Sequence, residues 1–120
     1  MRDYKKLQVW EKSHQLTLEL YQELKNFPKE ELFALTSQMK RSSSSIPTNI
    51  AEGAGRNTNK DFARFLAIAY GSINELEYQI ILSTDLMFIE KSKGEIFLEK
   101  IKEIRKMLHG LIIKINNSES

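Results

Sequence analysis

Five basic side chains flank a pair of glycines near the middle of the sequence. Gly53-Ala54-Gly55 is followed by Arg56, Lys60 and Arg64, which recur every four residues, and preceded by Lys40 and Arg41. On a helix, side chains at that spacing share one face. With Lys40 and Arg41 brought across the turn, the five would make a basic patch that contacts phosphates without reading base sequence. Glycines beside a helix N-terminus also suit phosphate binding. A dinucleotide fingerprint and a Walker lysine are both absent, and no strand pattern precedes the turn, so a nucleotide loop is not expected. A helix end and an interhelical turn would account for the same glycines with no ligand at all.

Other candidate chemistries are thinner. Glu11 and His14 form one Glu-x-x-His pair, whereas carboxylate-bridged dimetal bundles need two. Near His109 the matching position holds Lys106, so no metal site is expected and His14 reads as a polar surface or interface residue. Arg105 and His109 are separated by three residues, fewer than in the Arg–His motif of helical ribonucleases, and fit an exposed pair one turn apart. Ser42 to Ser45 lack the glycine framework of a nucleophile elbow. Asn49 and Glu52 lie three residues apart just after Pro47. With Glu75 or Glu77 from a neighbouring helix they would make a structural polar network that sets register. No catalytic residue, metal or cofactor is expected.

These residues need a scaffold, and the composition limits it. The chain has 120 residues, a length that fits one domain over 1–120 with its own core. It has no cysteine, which suits a reducing cytoplasm. No apolar run approaches the roughly 20 residues of a membrane span. The net charge is only +2, but it is zoned: residues 65–90 contain no Lys or Arg and four acids, while residues 38–64 hold five Lys/Arg against two acids. Zoned charge orients an anionic partner, and an ordinary mixed surface is the plainer account.

Apolar residues at spacings of three and four predict helices over about 6–27, 29–52, 59–88 and 93–116. Pro28 should stop the first and open the second. Pro47 should kink the second, with nearby hydroxyls satisfying the carbonyl it frees. Thr58 is a predicted N-cap for the third helix, and Ser92 with Glu95 a predicted capping box for the fourth. Ile81, Leu82 and Leu86 widen the apolar surface of the third helix beyond one stripe, a sign of self-association. Trp10 and the four tyrosines read as core or interface anchors. The fold expected is all-α, an antiparallel up-down-up-down four-helix bundle.

Several segments carry a family resemblance. Ser45-Ile46-Pro47-Thr48-Asn49-Ile50-Ala51-Glu52-Gly53 resembles the signature of bacterial four-helix-bundle proteins encoded in intervening sequences of 23S rRNA genes. Leu35 to Arg41 upstream and Gly71-Ser72-Ile73-Asn74-Glu75-Leu76-Glu77 downstream fit the same pattern, as do Tyr4 to Trp10 and Lys106 to Leu111. The resemblance implies a four-helix bundle assembled as a barrel-shaped homopentamer. That group is similar to the accessory variability determinant of diversity-generating retroelements, which binds RNA and a reverse transcriptase. The implied partners are thus further copies of the chain, RNA or a reverse-transcriptase-like protein. One departure is Ser42-Ser43-Ser44, where the family favours small apolar residues. If buried, each hydroxyl needs an acceptor to avoid a cost of about 1–3 kcal/mol.

Overall fold

The four apolar stripes become four helices, described over residues 2–118 in a computed structural model. They are α1 (Gln8–Leu24), α2 (Leu35–Ala54), α3 (Asn59–Asp85) and α4 (Lys91–Asn116). Short 3-10 turns at Tyr4–Lys6 and Lys29–Glu31 precede α1 and α2. No strand occurs among the described residues. Cross-helix pairs descend in one helix as they rise in the next, which makes neighbours antiparallel. Tyr21 faces Lys40 between α1 and α2. Ser42 faces Gln79 and Ser45 faces Ser72 between α2 and α3. Glu77 faces Arg105 and Tyr70 faces His109 between α3 and α4. Lys12–Glu103 and Glu19–Lys100 close the ring between α4 and α1. Leu16, Leu20, Met39, Ile50, Ile73 and Leu108 are among the core residues at its centre.

The helix limits differ from expectation at three places, each for a local reason. Pro28 opens the 3-10 turn and not α2. The chain then bends at Ala34 (φ −121°, ψ −106°), so α2 starts at Leu35 and Leu32 and Phe33 are left exposed. The predicted capping box of α4 does not form. The helix begins at Lys91, and Ser92 and Glu95 lie exposed inside its first turns. Finally, α3 stops at Asp85. There the Phe88 amide bonds the Ser83 carbonyl at 2.9 Å, the Met87 amide bonds the Thr84 carbonyl at 3.0 Å, and Met87 takes φ 65°. This is a Schellman ending, which normally uses glycine at the left-handed position.

Pro47 is buried within α2 and has no amide to bond the Ser43 carbonyl. The missing donor comes from another helix. The Thr17 hydroxyl on α1 reaches the Ser43 carbonyl at 3.1 Å while also lying 2.8 Å from the Ser13 carbonyl of its own helix. The serine run is satisfied as well. Ser42 donates to the Gln79 side chain at 2.5 Å, and Ser43 and Ser44 bond back to the Lys40 carbonyl. Small side chains here let α1 and α3 close on α2 from both sides, and Gly53 does the same near the turn, where a Cβ would stand 2.7 Å from the Phe65 Cβ.

Met87→Gly should stabilise the fold by about 0.5–1 kcal/mol, because relief of the left-handed strain exceeds the added freedom of the unfolded chain. A urea midpoint that stays put or falls would contradict this. Thr17→Val should cost about 1–2 kcal/mol in the wild-type background. In a Pro47→Ala background the cost should shrink, since an amide at position 47 can bond the Ser43 carbonyl. Equal costs in both backgrounds would show that Thr17 does not serve the freed carbonyl.

Candidate nucleic-acid interface

The α2–α3 corner is built from capping and packing before any ligand is considered. Thr58 caps α3 by accepting from the Asp61 amide at 3.1 Å, as its sequence position predicted. This fixes Asp61 in the first turn, where a carboxylate also meets the positive end of the helix dipole. Asp61 then holds two arginines. Its Oδ1 is 2.9 Å from Arg64 Nε and its Oδ2 is 3.6 Å from Arg56 Nε. Arg56 also pairs with Glu52 at 3.2 Å. Both guanidinium groups lie 4.5 Å from the centre of the buried Phe65 ring. Arg56 precedes α3 in sequence, so a shared helix face is not what brings it to Arg64; the corner and the Phe65 ring do.

A third guanidinium joins from the far end of the sequence. Arg2 donates to the Arg56 carbonyl at 3.1 Å and to the Asn59 side chain, and lies 4.5 Å over the Phe62 ring. Sequence reading did not select Arg2, because 54 residues separate it from Arg56 and no local pattern links them. Lys60 stands exposed on the same first turn of α3. The corner therefore holds Arg2, Arg56, Lys60 and Arg64 against Glu52 and Asp61. The rings hold the three guanidinium groups in place; Arg2 already donates through both terminal nitrogens, and Arg56 and Arg64 are shared with the Glu52 and Asp61 carboxylates. Gly53 is not a phosphate loop: it is buried where α2 and α3 pack closest.

Lys40 and Arg41 do not join this corner. They lie about 20 Å back along α2 at 1.5 Å per residue. Lys40 sits 5.4 Å over the Tyr21 ring of α1. Arg41 is exposed beside a polar groove between α2 and α3, which Ser45, Ser72 and Glu75 also line. The four residues read as a polar network are spread over separate contacts. Asn49 donates to the Ser45 carbonyl and hydroxyl, and Ser45 meets Ser72 at 2.8 Å, joining α2 to α3. Glu52 serves Arg56, Glu77 serves Arg105 at 3.0 Å, and Glu75 lies on the exposed face of α3.

The remaining titratable candidates stand apart from the corner, and Glu11 and His109 are exposed. His14 stacks on Trp10 with ring centres 5.1 Å apart, and Trp10 meets the Tyr4 ring edge-on at 5.0 Å. Arg105 bonds Glu77 and Asn74, and its pKa is raised, first by the hydrogen bond to the Glu77 carboxylate, which keeps it charged. His109 leans toward the Tyr70 ring, away from Arg105's partners. Among the described residues, no three His, Asp or Glu side chains group as metal ligands. No helix among them is long and apolar enough to cross a membrane.

Comparison with known proteins agrees with this architecture. No curated protein matches the chain. A crystal structure of a protein of unknown function from the S23 ribosomal protein family of Bacteroides thetaiotaomicron is similar in fold, with a TM-score of 0.80. Its identity to this chain is 30%, over 87% of this chain and 94% of that one. The family model for the 23S rRNA-intervening sequence protein matches residues 5–110. Those residues span α1, the proline-containing helix, the α2–α3 corner apart from Arg2, and most of α4, and by that match the chain belongs to the 23S rRNA-intervening sequence protein family.

Proposed function

We propose that this protein is a non-enzymatic, homo-oligomeric module of the cytoplasm that holds RNA by its phosphate backbone at the α2–α3 corner. The observation that carries the reading is the set of three guanidinium groups, from Arg2, Arg56 and Arg64, each positioned 4.5 Å from a phenylalanine ring. Such groups are oriented before a ligand arrives, so less side-chain freedom is lost on binding. Phosphate contacts of this kind confer affinity and salt dependence but little sequence choice. Lys60 adds a flexible fourth charge. The reading assigns no reaction: His14 stacks on Trp10 and Arg105 is ion-paired with Glu77.

The homo-oligomeric half of the reading rests on α3. Its outer face exposes Ile68, Tyr78 and Ile81, with Tyr78 62% exposed. Gly71 lies among them, and a Cβ added there would meet nothing within 4 Å. A glycine in a helix interior costs about 1 kcal/mol, and packing inside this bundle gives no reason for it. A second helix lying close across Gly71 does, and the copies would form the ring of five that the family resemblance implies. If RNA is not a ligand, this face still supports a protein scaffold.

Binding of a structured rRNA fragment, followed by fluorescence anisotropy across salt, tests the RNA reading. Neutralising Arg2, Arg56 and Arg64 together should flatten the slope of log affinity against log salt by roughly 2–3. Asp61→Asn should instead strengthen binding, by releasing two arginines from their carboxylate. Neutralising Lys40 and Arg41 should have less effect than neutralising the corner. An unchanged slope in the triple variant, with its fold intact by circular dichroism, would remove the corner from consideration and leave the scaffold reading. Tyr78→Glu should lower the particle mass in light scattering; an unchanged mass would dismiss the α3 face.

A further inference from the structure

Two glycines stand in helix interiors where nothing in the bundle asks for them. Gly71 on α3 and Gly110 on α4 are both exposed, and a Cβ added at either would meet nothing within 4 Å. Glycine weakens a helix interior, so it needs a reason there. Gly53 and Gly94 have one, in the close approach of Phe65 and Thr84. The two unexplained glycines lie on different helices but at one height. Tyr70 faces His109 across α3 and α4, and each glycine is the residue that follows one member of that pair. Their surroundings differ in charge. Residues 65–90 hold four acids and no Lys or Arg, whereas residues 104–116 hold Arg105, Lys106 and Lys114 and no acid. Glu75 lies one turn from Gly71, and Lys106 and Lys114 lie one turn to either side of Gly110. All three are exposed, and none has an ion-pair partner among the described residues.

We infer that, in the self-association proposed above for the α3 face and resting on it, that face meets the outer side of α4 on a second copy, with Gly71 set against Gly110. A ring is not built from one patch meeting itself; it needs two different patches on each subunit. The two must also sit at one height, or successive copies climb into a filament. α3 and α4 supply them from neighbouring corners of the bundle. When copies stand side by side in the same direction, α3 of one runs antiparallel to α4 of the next, as the two do inside the bundle. Setting Gly71 on Gly110 then places Glu75 opposite Lys106, one turn away on one side. On the other side it places Ile68 opposite Ile113, which are 43% and 47% exposed in the single chain. The missing side chains let the two backbones approach, the isoleucines bury against each other, and the ion pair lies at the rim. Lys114 falls opposite Ala67, whose small side chain leaves it room. An α3–α3 contact lacks this match, since it would bring the acids of both copies together on a face with no Lys or Arg between residues 65 and 90.

The chain has no cysteine of its own, so engineered thiols report the contact directly. The double variant Ile68→Cys, Ile113→Cys should give, on mild oxidation, a ladder of covalently linked chains in a non-reducing gel. Either single variant should run as one chain. Dimers from Ile68→Cys alone would show α3 paired with α3 and overturn the proposal. In light scattering, Gly110→Leu should reduce the particle to the mass of one chain while its helicity by circular dichroism holds, since leucine favours a helix more than glycine does. Lys106→Glu should raise the dissociation constant between copies by about tenfold or more, by setting like charges opposite each other. Adding Glu75→Lys to the same chain should restore most of that loss, which a merely damaged fold would not do. Wild-type mass for Gly110→Leu, in a protein whose mass does fall with Tyr78→Glu, would keep the α3 face and remove α4 as its partner. Wild-type mass for both variants would remove the α3 face itself, and this contact with it.

Discussion

The Ser43 carbonyl, left without an amide by Pro47, is the constraint around which the bundle is arranged. A buried acceptor with no donor is costly, so something must reach it. Thr17 does, from the neighbouring helix, and in doing so it sets the height of α1 against α2. The side chains around that contact are small and hydroxylated for the same reason. Ser13, Ser42 and Ser43 are buried with local acceptors, which lets two helices approach α2 at its proline without leaving polar groups unpaired. A run of serines is therefore compatible with burial inside one chain. Each hydroxyl keeps the volume small and finds a partner: Ser43 and Ser44 the Lys40 carbonyl one turn back, Ser42 and Ser45 the Gln79 and Ser72 side chains of α3.

The same economy of partners governs the corner. Asp61 donates its amide to the Thr58 cap, meets the helix dipole through its charge, and holds Arg56 and Arg64 through its two oxygens. The arginines are thereby ordered but partly neutralised. These ion pairs are exposed, so each adds little to stability and yields readily to a competing anion. In the proposed reading, a phosphate entering the corner would exchange one carboxylate for another oxyanion on a guanidinium group already held over an aromatic ring. Order in the free state and charge available to a ligand pull in opposite directions here, and Lys60, exposed on the same turn, adds to the positive excess that the three arginines hold over Glu52 and Asp61.

Much of the fold was legible because it follows from period and punctuation. Four stripes at helical spacing gave four helices, and Thr58 marked the start of α3 correctly. Where signals failed, tertiary contacts outweighed local chemistry. Ser92 looks like a cap, yet Gly94 must pass within touching distance of Thr84, and α4 winds back to Lys91 to present it there. Met87 carries no stop signal at all, since a left-handed methionine reads as one more apolar helical residue. The five cations chosen by spacing split into two groups because sequence distance along α2 is real distance, whereas Arg2, remote in sequence, arrives at the corner through the packing of the N-terminal turn.

Placing charge at one end and apolar side chains at the other has a geometric consequence. The molecule is 48 Å long, and its two longest helices, α3 with 27 residues and α4 with 26, run about 40 Å of it at 1.5 Å per residue. In the proposed RNA reading, a polyanion held at the corner would lie about one molecular length from the exposed apolar loops at the far end, well beyond the Debye length of about 8 Å at physiological salt, so contacts through those loops would not compete with it for surface. In the proposed assembly through α3, the corner would recur around the ring, and the hold on RNA would depend on the number of corners presented more than on the strength of any one of them.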